Sequence, residues 1–316
     1  MDEEYARHIL GKISYFRLKS YWWDMKDPQT GLFLPCANFH TVTDRYYFDR
    51  SLRQILFSAI ETIEIALRTK MVNHFSLERN GLWYLDQSLF RNRVLHEKHI
   101  KTLKREFARS KDPAVQHYIA SIGPNWHVDR LDGDNPDAWF IFEYATFGTL
   151  SKIFENIKPD HPRRSAIANE FGLYFSTDFS SWLQSIAVIR NFAAHHSRLW
   201  NRNFTTPPST PSNMPYPWLA TPLSNRLKHT PYCVITNILY LSNALRSGNT
   251  LKRRIIHLIN NNPQIDISRY GFTGNWHNEP IWRQSNCDKG TGSCDKACDK
   301  GTSSCHVPCP LHQCHQ

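Results

Sequence analysis

The stretch Arg190-Asn191-Phe192-Ala193-Ala194-His195, followed at once by His196-Ser197-Arg198-Leu199-Trp200-Asn201-Arg202, gathers chemistry densely. An arginine can hold a phosphate, an amide can donate and accept hydrogen bonds, and a histidine can carry a proton near neutral pH. Together they are the groups that RNA cleavage through its own 2′-hydroxyl calls for, with no metal needed.

For those groups to act together, something rigid must hold them. At about 3.6 residues per turn, Asn191 and His195 share one helix face, and Arg198 and Arg202 extend the stripe by further turns. Arg190 sits one position off, within reach of the His195 ring, where its charge would favour a neutral imidazole. Trp182, Ile186, Ile189 and Ala193 recur at helical spacing and predict the buried face. The pattern predicts a helix over 179–202, closed before Pro207-Pro208, with His196 and the arginines at its C-terminal end, where cations suit the helix dipole.

A second long helix is predicted over 48–75. Leu52, Ile55, Leu56, Ala59, Ile60, Ile63, Leu67 and Met71 recur every three or four residues, with Glu61, Glu64 and Arg68 elsewhere on the circumference. Glu64 and Arg68 read as an i,i+4 ion pair bracing the main helix. Arg68 with His74 is a weaker second candidate site. Further helices are expected over 137–157 and 232–245. Clusters of Gly, Pro and Asn near 27–38, 123–136 and 205–225 mark loops. The fold class is therefore all-α, a helical bundle with room for one small β-hairpin in the N-terminal third.

At these residues the chain resembles a known family. RNFAAHHSRLWNR is similar to the signature of the Abi-like, abortive-infection bacteriophage-resistance proteins, whose R-N-x-x-x-H helix places them in the HEPN superfamily. The other marks are Ile13 to Leu18 with Tyr21-Trp22, Tyr47-Phe48-Asp49-Arg50 with Leu52-Arg53, and Glu61 to Arg68. Trp139 with Glu143, Phe147 to Lys152, and Gly271-Phe272 with Trp276 follow in order. The resemblance runs to about residue 283 and implies a HEPN-like bundle. Beginning at Tyr5-Ala6, the chain enters directly what matches the family's first tyrosine-rich helix, so a leading segment is expected to be missing.

The formal net charge of +10 lies in the body, because the tail's three lysines balance its three aspartates. Such an excess favours polyanionic partners. Its densest block, 91–111, places Lys101, Lys104 and Arg105 among further cations on an amphipathic helix. That face is either simply solvated or a phosphate-tracking surface. No segment is apolar enough to span a membrane, and Asp2, Glu3 and Glu4 are no signal peptide. A cytoplasmic protein with no membrane partner is expected. Cys36 and Cys233 stand far apart and no Gly-rich phosphate loop is visible, so neither a metal site nor a cofactor is expected in the body.

Residues 284–316 carry an 11-residue tandem repeat from Cys287, and a separate, disordered tail is expected there. Cys298, Cys305, Cys309 and His312 can be written as four zinc ligands. The absence of C-x-x-C pairs and of apolar packing residues favours translated repetitive DNA, a recent extension or a readthrough instead.

The functional expectation is a metal-independent endoribonuclease of phage defence, with Arg190, Asn191 and His195 catalytic. His196, Arg198, Arg202, Glu64, Arg68, Lys101, Lys104 and Arg105 support it or bind RNA. The alternative is a non-catalytic module that retains a small structured RNA. A non-coding RNA or an antitoxin is an expected partner. Because one such helix offers a single histidine, a homodimer is expected, with the Asn191, His195 and Arg198 stripes of both subunits facing one cleft.

Overall fold

The computed structural model describes residues 3–246 and 248–283, so the expectations placed on the cysteine-rich tail lie outside the described residues. Those described form an all-α fold. The helices are α1 (Glu3–Lys12), α2 (Tyr15–Leu18), α3 (Phe39–Glu78), α4 (Arg93–Ala108), α5 (Pro113–Ile122) and α6 (Ala138–Ile141). They continue with α7 (Phe147–Asn156), α8 (Pro162–Glu170), α9 (Ser176–Ala194), α10 (Asn225–Lys228), α11 (Pro231–Leu245) and α12 (Leu251–Asn260). None is long and apolar enough to cross a membrane.

α3 is the spine. Phe48, Leu52, Leu56, Ile60, Ile63, Leu67, Met71 and Phe75 are all buried along one stripe. The helix starts earlier than its apolar pattern predicts because Asn38 caps it, its side chain accepting from the His40 amide at 2.9 Å. α9, α11 and α12 pack along this spine, and α9 also touches α7, α8 and α11. The expected inner face of α9, Trp182, Ile186, Ile189 and Ala193, is buried. Trp182 meets the Trp218 and Tyr240 rings, so the helix is fixed on its inner side by large aromatic surfaces.

Three expectations need correction. The N-terminal hairpin is reduced to one isolated antiparallel bridge, Lys26 with Phe33, and no strand occurs among the described residues. The helix expected over 137–157 is broken into α6, a 3₁₀ turn (Phe142–Tyr144) and α7. Thr146 caps α7, while Glu106 of α4 accepts from the Thr146 amide and from the Thr146 and Thr149 hydroxyls. These polar contacts stabilise a break that apolar periodicity alone would read through.

The third correction concerns α9, which ends at Ala194 rather than running to Arg202. His196 adopts a left-handed conformation (φ 56°), its amide donating to Ala193 O and the Ser197 amide to Phe192 O. This pair of bonds is a Schellman termination, usually made with glycine. Histidine is among the few other residue types enriched in the left-handed region.

Candidate active site at the end of α9

The chain beyond α9 is pinned by one buried carboxylate. Asp49, on α3, accepts from the Leu199 amide (3.1 Å) and the Trp200 amide (3.0 Å). It also accepts from the hydroxyls of Tyr21 (2.7 Å) and Tyr270 (2.9 Å) and pairs with Arg53. Asp49 is wholly buried, and a charge in that position is tolerable only because it is so fully hydrogen-bonded. Sequence reasoning missed it as a site residue. The signal was there: an acid at an apolar register position of α3, one turn from Leu52 and Arg53.

Above this anchor, α9 exposes the stripe Gln184, Val188, Asn191 and His195. The Asn191 and His195 side chains make no hydrogen bond or ion pair among the described residues. His196 is also exposed, and its carbonyl accepts from Arg17 of α2 at 2.7 Å. Arg198 and Arg202 do not extend the stripe. Arg198 is turned inward, donating to Ser20 O (3.2 Å) and Trp200 O (3.1 Å). Arg202 lies over the Phe192 ring, its Cζ 3.9 Å from the ring centre, in a groove of about 270 Å³ on the far flank of α9, and burial lowers its pKa.

Arg190 occupies the opposite flank. With Phe57, Glu61, Glu64, Ile65 and Arg68 it lines an open cleft of about 260 Å³. Its Nε lies 3.8 Å from Glu64, whose other oxygen accepts from Arg68 at 3.1 Å. Arg68 also donates to Ala145 O, the carbonyl exposed by the break before α7. Glu64 thus sits between two guanidiniums and ties α3 to α9. Burial raises its pKa nevertheless, outweighing the downward pull of Arg190 and Arg68.

Arg68 and His74 are not brought into one site. The His74 ring bonds Glu170 of α8 at 2.6 Å, beside Lys70, which pairs with the same carboxylate. On α4, Lys101 pairs with Glu97 at 2.5 Å and Arg105 with Asp129. Lys104 is fully buried, donating to Arg130 O at 2.6 Å and lying over the Trp126 ring, with burial pushing its pKa down to about 8. It cannot meet a phosphate at the surface. No group of three or more potential metal-binding side chains occurs among the described residues.

One family model matches residues 8–201, from α1 through the turn that Asp49 anchors. The chain belongs to the Abi-like proteins. Membership points to abortive infection in phage defence. The match in this Abi-like protein takes in Asp49, Glu64, Arg190, Asn191 and His195, and ends before Gly271 and Trp276. No curated protein and no solved structure matches the chain.

The family marks scattered along the sequence have a common physical centre. Three of these marks, Tyr21, Asp49 with Arg53, and Leu199-Trp200, meet together with Tyr270 at one carboxylate, which sets where α9 ends and what it exposes.

Proposed function

We propose that this Abi-like protein is a metal-independent endoribonuclease of the HEPN type, acting in the cytoplasm in abortive phage defence. The observation that carries the reading is the exposed pair Asn191 and His195, without partners among the described residues and held on a helix whose other side is locked into the core, with Arg190 at its flank. Polar groups kept free on a rigid scaffold are what catalysis requires.

In this mechanism His195 removes the proton of an RNA 2′-hydroxyl. The 2′-oxygen attacks phosphorus, the bond to the 5′-oxygen breaks, and a second proton carrier protonates the leaving oxygen. The products are a 2′,3′-cyclic phosphate and a 5′-hydroxyl, so DNA is spared. General base catalysis of this kind contributes roughly 10²–10⁴-fold. Arg190 neutralises charge developing on the phosphoryl oxygens, and Asn191, one turn before His195, orients the ring or a phosphate oxygen.

The second proton carrier comes, in this proposal, from a two-fold homodimer that apposes two α9 stripes. Val188 on the stripe and Phe57 and Ile65 at the Arg190 cleft are exposed apolar side chains suited to such a contact. A small RNA or a protein antitoxin would restrain the enzyme until infection.

The test is incubation of purified protein with labelled RNA in EDTA. Cleavage to cyclic phosphates, lost in His195→Ala, is the expected result; binding without cleavage would assign α9 to an RNA-retaining module instead. Mixing His195→Ala subunits with wild type should give heterodimers of strongly reduced activity, whereas a fully active monomer would remove the dimer from the scheme.

A further inference from the structure

Beside the end of α9 runs a row of exposed aromatic rings that the core does not use. Phe16 is 79% exposed, Trp23 58%, Phe33 54% and Tyr15 48%. Tyr15 meets Phe16 at 5.6 Å, and Tyr15 (5.2 Å) and Phe33 (6.0 Å) both lie against the buried Trp22, which Trp23 follows in the chain. Cations are interleaved with them. Lys26 Nζ lies 4.8 Å from the Phe33 ring centre and Lys19 Nζ 5.4 Å from that of Trp23. The row is fastened to the candidate site from both sides, since Arg17 donates to His196 O and Arg198 to Ser20 O.

Of the acids nearby, Asp24 is already held by Arg45 and Arg269, and Asp27 caps the amides of Gln29 and Thr30. The surface therefore offers exposed aromatic rings, with an ammonium group lying over one face of Phe33 and of Trp23. Unpaired bases stack on such faces while the backbone phosphates meet the cations. A duplex keeps its base faces buried and gains nothing from the rings.

We propose that Tyr15, Phe16, Trp23 and Phe33, with Lys19 and Lys26, form a stacking platform that binds the unpaired segment of an RNA and leads it to His195. This rests on the ribonuclease reading for what happens to the strand, though not for its binding.

The probe is a short fluorescein-labelled 2′-O-methyl RNA strand, which cannot be cut, compared with a blunt duplex and an abasic strand of equal length. The full-length protein should bind the single strand tightest. Phe16→Ala and Trp23→Ala should each weaken it about tenfold, while abasic-strand binding stays unchanged. Both side chains are exposed, so unchanged circular dichroism and thermal midpoint are expected. Equal affinity for the abasic strand, or variants within twofold of wild type, would overturn the platform.

A variant that loses self-association in sedimentation yet keeps its single-strand affinity would assign the rings to a contact between copies and overturn it equally. The two readings fail separately. If unmodified RNA is not cleaved but binding needs Phe16 and Trp23, the platform stands without the nuclease. If cleavage needs His195 but ignores both rings, the nuclease stands without the platform.

Discussion

Two helical surfaces carry the side chains that the sequence marks for RNA, and the structure treats them in opposite ways. On α4, Lys101, Lys104 and Arg105 are each committed, to Glu97, to the Arg130 carbonyl and to Asp129. At the end of α9, Asn191 and His195 are uncommitted, while the arginines beyond them are folded into the protein's own carbonyls and rings. Charge counted along a sequence therefore overstates charge available to a ligand. What distinguishes the α9 end is a few polar groups left free on a helix whose inner face is buried and whose following turn is bonded to Asp49.

The sharpest way to break this contrast is at His195. His195→Ala should lower RNA cleavage by about 10²–10⁴-fold, measured as cyclic-phosphate product under single-turnover conditions. Stability should move by no more than about 0.5 kcal/mol, because the side chain is exposed and unpartnered. Arg190→Ala should also abolish cleavage. Wild-type rates in either variant would place the chemistry elsewhere.

The next effect is structural. Asp49→Ala removes the acceptor of two amides and two hydroxyls and strands Arg53 in the core. A loss of about 3–5 kcal/mol in urea unfolding is expected, the cost of breaking a buried ion pair from one side. A loss below about 1 kcal/mol would show that the turn after α9 holds itself.

Much of this architecture was legible in sequence, and what was not has identifiable causes. The core stripe of α3 and the inner face of α9 followed from three- and four-residue spacing, because burial enforces that period. The end of α9 did not, for two reasons. Its left-handed residue is His196 rather than glycine, and the carboxylate that holds the next turn lies 150 residues earlier. Arg198 and Arg202 consequently lie off the stripe that helical spacing predicts for them. The burial of Lys104 depends on the Arg130 carbonyl and the Trp126 ring, which no pattern within α4 announces. Asn191 and His195 needed only local geometry, and their shared exposed face was readable.

Lys104 gives a pH test of the same difference. An unfolded chain keeps an ordinary lysine protonated to about pH 10.4, whereas burial pushes Lys104 in the folded protein down to about 8. Between these values the unfolded state binds the extra proton, so this residue makes stability rise with pH. Wild type should therefore gain on Lys104→Met as pH climbs from 8 to 10 in denaturant titrations. A pH-independent difference would mean that Lys104 is solvated and open to phosphate.

The smallest expected effect is on the exposed pairs of α4. Lys101–Glu97 and Arg105–Asp129 are surface ion pairs weakened by solvent screening, and a phosphate would have to displace a carboxylate already in place. The double variant Lys101→Ala, Arg105→Ala should therefore unfold within about 1 kcal/mol of wild type and bind RNA within about twofold. Arg93 and Lys98 on the same helix and Arg109 at its C-cap are exposed without ion-pair partners among the described residues, and serve as the control. If α4 tracks a backbone at all, replacing those three should flatten the dependence of binding on salt by about one unit in the log–log slope per cation. An equal flattening from Lys101 and Arg105 would show that their pairs open freely to RNA, and the distinction between committed and free charge would then no longer separate α4 from α9.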